Sequence, residues 1–205
     1  NILTGYSFDS AVCKNQAGQN VGSSITNGVG SITISDSDII SCDFVNNDMP
    51  TLTVNKVLNP VGHGEFNLLI DGQSYANGVG NGGTTEAIAL APGSYVVSEV
   101  ASNPSTNLSE YKITYSGDCD SQGSVTLNEG DNKTCTITNI AYATVTITKD
   151  VVPDDSSLWD FTLNGTGGNF SKNDLGNNQS YTFLNLVPGS YNLTELSDPD
   201  YKTNI

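Results

Sequence analysis

Laid against itself, the chain matches without a gap at one offset, 93 residues, which carries residues 30–57 onto 123–150. Ser31-Ile32-Thr33-Ile34 falls over Ser124-Val125-Thr126-Leu127, and Cys42-Asp43-Phe44-Val45-Asn46 falls over Cys135-Thr136-Ile137-Thr138-Asn139. Thr53-Val54-Asn55-Lys56 falls over Thr146-Ile147-Thr148-Lys149. Farther on, Leu90-Ala91-Pro92-Gly93-Ser94-Tyr95-Val96-Val97-Ser98-Glu99 returns as Leu186-Val187-Pro188-Gly189-Ser190-Tyr191-Asn192-Leu193-Thr194-Glu195, the offset having grown by a loop insertion. Such a period marks an array of homologous units of about ninety residues, and a chain of 205 residues has room for two of them.

The phase of the repeat constrains the fold further. Residues 1–50 correspond to the second half of a unit, 51–141 to one whole unit, and 142–205 to a first half only. Half a sandwich cannot bury its apolar face. The terminal halves are therefore expected to complement each other within the chain, between neighbouring chains, or between successive copies along a longer polypeptide. Asn1-Ile2 recurs as Asn204-Ile205, which suggests one period of a giant repetitive protein or filament cut with a two-residue overlap.

Composition agrees with strands and turns. Asparagine, serine, threonine and glycine abound, and β-branched residues come in short runs. Charged residues make up only 14%, arginine is absent, and the net charge is -15. A chain so short of cations cannot neutralise phosphates, which argues against a nucleic-acid partner. Its acidity keeps an extended molecule soluble and could attract divalent cations. No run approaches the ~20 apolar residues of a membrane span. The first residues do not read as a secretion signal either, so a mature ectodomain or a piece of something longer is expected.

The four cysteines divide as Cys13 with Cys42 and Cys119 with Cys135, one pair in each copy. That even, repeated arrangement reads as disulfides and an oxidising, extracellular or cell-surface compartment. Zinc is the rival, but there is no CxxC spacing, and the single histidine, His63, stands in the loop-like Gly62-His63-Gly64. Neither a metal nor a cofactor is expected.

Side chains two apart on a strand share a face. Leu52, Val54 and Leu58 therefore share theirs with Lys56, and Val145, Ile147 and Val151 share theirs with Lys149. Tyr95 and Val97 point with Glu99; Tyr191 and Leu193 point with Glu195, while Asn192 and Thr194 mark the wet side. Cys135 and Ile137 point with Asn139, as Cys42 and Phe44 do with Asn46. A lysine, a glutamate and an asparagine are thus all aimed inward. Burying an unpaired ammonium and carboxylate costs several kcal/mol each, so pairing or neutralisation must compensate. A neutral lysine amine is a nucleophile, and a protonated glutamic acid can relay protons to an amide. Attack on the asparagine side chain would expel ammonia and leave an isopeptide bond. The plainer alternative is a buried ion pair without covalent chemistry.

At these residues the chain resembles the Cna protein B-type, or SpaA-like, domains of prealbumin-like fold found in pilins, adhesins and large surface proteins. The matching pieces are Thr53-Val54-Asn55-Lys56, the Leu-Ala-Pro-Gly-Ser-Tyr run ending in Glu99, and Cys135-Thr136-Ile137-Thr138-Asn139. Tyr115-Ser116-Gly117-Asp118-Cys119-Asp120 with Asp131-Asn132-Lys133-Thr134-Cys135 looks like a subset with a disulfide near the last strand. The resemblance implies an autocatalytic bond between the lysine and asparagine of the first and last strands, assisted by the glutamate. By position these are Lys56, Asn139 and Glu99. In the second unit Lys149 and Glu195 await an asparagine, which Asn46 could supply from the N-terminal half or a neighbour.

Other patterns have plainer readings. Gly78-Val79-Gly80-Asn81-Gly82-Gly83 spells a dinucleotide motif, but the strand-like Thr84-Thr85-Glu86-Ala87-Ile88 follows where a helix would be needed. Asn107, Asn132, Asn164, Asn169, Asn178 and Asn192 satisfy the glycosylation pattern, about as many as this composition gives by chance. Asp36-Ser37-Asp38 and Asp154-Asp155 read as turn aspartates before calcium ligands. Trp159 is expected to pack beside the core, with Phe161 aligned to Phe66.

The expected fold is all-β: tandem Ig-like, prealbumin-like Greek-key β-sandwiches with seven strands to a unit. The expected role is an extracellular structural repeat of a filament, pilus-like fibre or stalk, whose partners are neighbouring copies of itself. The competing class is an adhesin module that binds glycans or proteins through loops, the Gly78 to Gly83 loop first. An enzyme is not expected, since no nucleophile with a base or paired carboxylates in a cleft can be discerned.

Overall fold

The computed structural model describes residues 5–22, 25, 29–62, 64–154 and 156–196. His63, Asp155 and the Asn1-Ile2 and Asn204-Ile205 repeat lie outside the described residues. Within them the chain is all-β, with one 3-10 turn at Leu108–Glu110. An antiparallel hairpin, β1 (Tyr6–Asn15) and β2 (Ile40–Asp48), comes first. A central sandwich follows, made of β3 (Thr51–Asn59), β4 (Phe66–Ile70), β5 (Gln73–Val79), β6 (Ile88–Ala89), β7 (Gly93–Ala101), β8 (Tyr111–Gly117), β9 (Ser124–Leu127) and β10 (Asn132–Ala141). It has eight strands and not the expected seven, because the two-residue β6 adds an edge to β3.

The central strands form two four-stranded sheets, ordered β6-β3-β10-β8 and β5-β4-β7-β9. Alternation builds the core: Leu52, Val54, Lys56 and Leu58 face inward from β3 while the residues between them are partly exposed. Leu52, Val54 and Ile137 of one sheet meet Leu68, Val97 and Leu127 of the other. Each of these is buried almost completely, worth about 1.5–3 kcal/mol per side chain.

Strands β3 and β10 are parallel neighbours, in register from Thr51 beside Asn132 to Asn59 beside Ile140. The chain thus enters the sandwich at one pole and leaves it at the other, roughly 26 Å away at about 3.3 Å per residue. Only Met49 and Pro50 separate β2 from β3. At the far pole Tyr142 alone separates β10 from β11 (Ala143–Thr148).

After β11 come β12 (Trp159–Gly165), β13 (Gly168–Leu175), β14 (Ser180–Leu186) and β15 (Tyr191–Glu195). They repeat the first half of the central plan. The β11-β14 pair reproduces β3-β6, and the order β13-β12-β15 reproduces β5-β4-β7. A second core gathers Ile147, Trp159, Phe161, Leu163, Leu175, Phe183 and Leu186. Counterparts of β8, β9 and β10 do not follow β15 among the described residues. The segment expected to match β9, Ser31–Ile34, is not a strand in this chain.

Candidate functional site

The most buried large side chain in the central sandwich is a lysine. Lys56 is fully enclosed, and its Nζ lies 3.0 Å from Glu99 Oε2 and 4.5 Å from the centre of the Phe66 ring. Glu99 reaches it from the opposite sheet, where β7 pairs with β4 in the register Glu99 beside Leu68. The contact is a charge pair without hydrogen-bond alignment, because both Glu99 oxygens lack a hydrogen-bond partner. The ring adds a cation–π attraction on another side of the ammonium.

Asn139 completes the trio by position. It is fully buried on β10, beside Leu58 in the register and on the same inward parity as Ile137, which faces Lys56. Neither its Oδ1 nor its Nδ2 has a hydrogen-bond partner. A buried primary amide left unpaired is costly and uncommon in folded proteins. Burial lowers the Lys56 pKa, while the charge of Glu99 and a contact with its carboxylate pull it back up. Burial first, and then the charge of Glu99, raise the pKa of Tyr115, which stands beside Ile137 on β8.

The second lysine repeats the arrangement in an open setting. Lys149 donates to Glu195 Oε1 at 3.2 Å and lies 4.1 Å from the centre of the Trp159 ring. Here the Glu195 side chain is 38% exposed, against 1% for Glu99. Trp159 occupies the place of Phe66, and Phe161, beside Glu195, occupies that of Leu68. The expected alignment of Phe161 with Phe66 is therefore corrected by two residues. It kept the right face and lost the register, because parity is blind to a shift of two. Asn46 is exposed on β2 beside Phe8, at the opposite pole from Lys149. One chain does not bring it to that pair.

The cysteines pair as two disulfides. Cys13–Cys42 ties directly facing residues of β1 and β2, and Cys119–Cys135 ties the turn after β8 to β10. All six candidate glycosylation asparagines, Asn107, Asn132, Asn164, Asn169, Asn178 and Asn192, are exposed. Asp36 and Asp38 lie in a turn where the Asp38 carboxylate accepts from the Ser35 amide, and Asp154 accepts from Asn177. No cluster of three or more metal-ligating side chains occurs among the described residues. No helix among them is long and apolar enough to cross a membrane.

The glycine loop is committed to the lysine strand. The Gly82 amide donates to the Lys56 carbonyl, the Lys56 amide donates to Gly83, and Asn81 accepts from the Leu58 amide. The second unit repeats all three with Asn178, Gln179 and Asn177 around Lys149 and Val151. The loop thus braces the outer edge of the strand, and no helix follows it.

Sequence reasoning missed the aromatic floor beneath each lysine and missed Tyr115. Extending the 93-residue offset beyond its gap-free stretch lays Trp159 over Phe66, so the floor was readable; Tyr115 emerges only from strand pairing.

Comparison with curated proteins gives no match. Among solved structures, the Bacillus anthracis TIE protein is similar at 15% identity and a TM-score of 0.36, the match covering 96% of this chain and 46% of that one. The SpaA-type family model described as a prealbumin-like fold domain matches residues 48–137. Those residues, folded as two four-stranded sheets around a buried lysine, are similar to a SpaA-type domain of prealbumin-like fold.

Proposed function

We propose that this chain is a structural module of an extracellular filament, pilus-like fibre or stalk, and that its central sandwich is clamped by a bond between Lys56 and Asn139. The observation that carries the reading is the enclosed Lys56–Glu99 pair together with a fully buried Asn139 amide that has no hydrogen-bond partner, two residues along β10 from the Ile137 that stands beside Lys56. The two disulfides favour an oxidising, extracellular setting.

The chemistry balances within the trio. Burial lowers the Lys56 pKa and so favours handing its extra proton to Glu99; the amine then attacks the Asn139 side-chain carbonyl carbon, and the new C–N bond replaces the bond to Nδ2. Glu99 takes a proton from Nζ and delivers it to the departing nitrogen, which leaves as ammonia. The event happens once per molecule and is not turnover. It removes two buried charges and the unpaired amide hydrogens together.

The strand order supports a mechanical role for such a bond. Tension entering at Thr51 and leaving at Ala141 shears two parallel neighbours, β3 and β10, along their whole hydrogen-bond ladder. A link from Lys56 to Asn139 carries that load directly and spares everything between them.

Intact mass under reducing and non-reducing conditions tests the reading. The expected result is a mass one ammonia below that of the sequence after allowing for disulfides, restored in Lys56→Arg and in Asn139→Ala. A full sequence mass in the unaltered protein overturns the bond.

A further inference from the structure

We infer that Tyr115 is a positioning residue for the Lys56–Asn139 bond, its hydroxyl being the partner that Glu99 takes up while it carries the proton. The role rests on the proposed bond. It gives Glu99 what the ion pair does not, an oxygen that both donates and accepts.

Strand pairing puts Tyr115 beside the reacting groups. Across β3, β10 and β8, Lys56, Ile137 and Tyr115 stand in one row, and Leu58, Asn139 and Ile113 stand in the next. Tyr115 and Asn139 are thus diagonal neighbours, a separation that an aromatic side chain spans. The Tyr115 ring packs against the core and rests on Gly123, where a Cβ would lie 3.0 Å from Cε1 and 3.2 Å from Cδ1 of the ring. Gly123 in turn accepts from the Val97 amide at 2.8 Å, two residues before Glu99 on β7. The ring therefore crosses from its own sheet to the strand that carries Glu99. Lys56 and Ile137 are fully enclosed and Tyr115 is half-buried, so the row runs from the dry core toward solvent.

Glu99 is short of partners. Neither of its oxygens has a hydrogen-bond partner, although only 1% of the side chain is exposed. A buried carboxyl left so is costly in either protonation state. Its charge is felt at Tyr115, where it adds to burial in raising the phenol pKa. The other charged groups around Tyr115 are engaged or turned away. Lys56 lies beyond Ile137 and pairs with Glu99, and Lys133 of β10 pairs with Asp131. Asp120, in the turn that holds Gly123, accepts from the Gln122 and Ser124 amides. Lys112 of β8 is exposed, and β9 carries no titratable side chain.

Proton bookkeeping gives the hydroxyl its task. Lys56 begins as an ammonium and ends as an amide N–H, so it sheds two protons. One leaves with the Asn139 nitrogen as ammonia. The other stays on Glu99, which ends as a neutral acid with no cation beside it. A hydroxyl donates to the carboxylate before the transfer and accepts from the acid after it. Tyr115 thus serves Glu99 in both states without touching the bond that forms.

Intact mass times the loss of ammonia in the full chain, kept unfolded in urea from synthesis and refolded by dilution at a series of pH values. Tyr115→Phe keeps the ring and removes only the hydroxyl. Near neutral pH it should slow the bond roughly ten- to a hundredfold, the effect of losing one hydrogen bond to a charged group. As pH climbs beyond 10.0 and the unaltered Tyr115 ionises, its phenolate no longer donates, and the two rates should converge. Tyr95→Phe removes a hydroxyl that donates to the Ala91 carbonyl at 2.8 Å and should match the unaltered chain throughout. Equal rates for Tyr115→Phe at every pH, or a slowing that stays constant across the range as a packing defect gives, would overturn the role of Tyr115 and leave the clamp standing. An unaltered chain that loses no ammonia sinks the bond, and the role of Tyr115 falls with it.

Discussion

Lys56 and Glu99, held 3.0 Å apart with 0% and 1% of their side chains exposed, recur 93 and 96 residues later as Lys149 and Glu195, held 3.2 Å apart at 13% and 38%. One molecule thus contains the same ion pair dry and wet. Removing one partner of a buried pair strands a charge and costs about 3–5 kcal/mol, whereas an exposed pair is worth about 0–1 kcal/mol. In the Asn139→Ala background, where no bond can form and the pair persists, Glu99→Ala is therefore expected to destabilise the central sandwich by about 3–5 kcal/mol, and Glu195→Ala to cost under about 1 kcal/mol. Urea unfolding read by tyrosine circular dichroism and by the single tryptophan, Trp159 beneath Lys149, checks both. Equal costs would contradict the contrast in burial.

The pH response of the uncrosslinked sandwich follows from two opposite shifts. Lys56 has its folded pKa lowered below 10.5, so the unfolded chain binds more protons in the window beneath 10.5 and stability rises with pH there. Tyr115 has its folded pKa raised above 10.0, so the unfolded chain loses its proton first and stability falls as pH climbs beyond 10.0. In Asn139→Ala, which cannot form the bond, the urea midpoint should climb through the alkaline range and then drop. Tyr115→Phe should remove the drop. In the crosslinked protein Lys56 no longer titrates, and the climb should be absent; its persistence there would mean that Lys56 is still an amine.

Parity along short strands was enough to place Lys56, Glu99 and Asn139 on inward faces, because a period of two leaves only two choices and neighbouring apolar residues select one. The same rule could not fix register, which is why Phe161 was laid over Phe66 when Trp159 belongs there. The eighth strand was illegible for another reason: Ile88–Ala89 is too short for a periodic signal and exists only because β3 offers it an edge. Ser31–Ile34 shows the converse. Its sequence matches a strand, yet a strand is a pairing, and within the described residues that partner is missing.

The disulfides should act on different bodies. Cys119–Cys135 closes a loop 16 residues long inside the central sandwich, a constraint worth about 3 kcal/mol in the chain-entropy account. Cys13–Cys42 lies wholly within the β1–β2 hairpin. Replacing Cys119 and Cys135 by serine is expected to lower the stability of the central sandwich by about 3 kcal/mol. The same change at Cys13 and Cys42 should leave that transition in place while unprotecting hairpin amides in hydrogen exchange. A shared loss from either pair would mean that hairpin and sandwich unfold as one unit.

Gly83 separates the structural from the ligand-binding reading of the glycine loop. A Cβ there would lie 2.4 Å from Val79 Cβ and 3.1 Å from the Gly80 carbonyl, both part of the turn that lets Gly83 accept from the Lys56 amide. Gly83→Ala must push the loop off β3, so a loss of about 1–3 kcal/mol is expected, as for other overpacked sites. Gly72 has open space around its missing side chain but a φ of +79, so Gly72→Ala should act through backbone strain alone and cost less, about 1 kcal/mol. Thermal unfolding of the two variants side by side reads the difference. Should Gly83→Ala be neutral, the loop does not brace the lysine strand, and its run of glycines would need a different explanation.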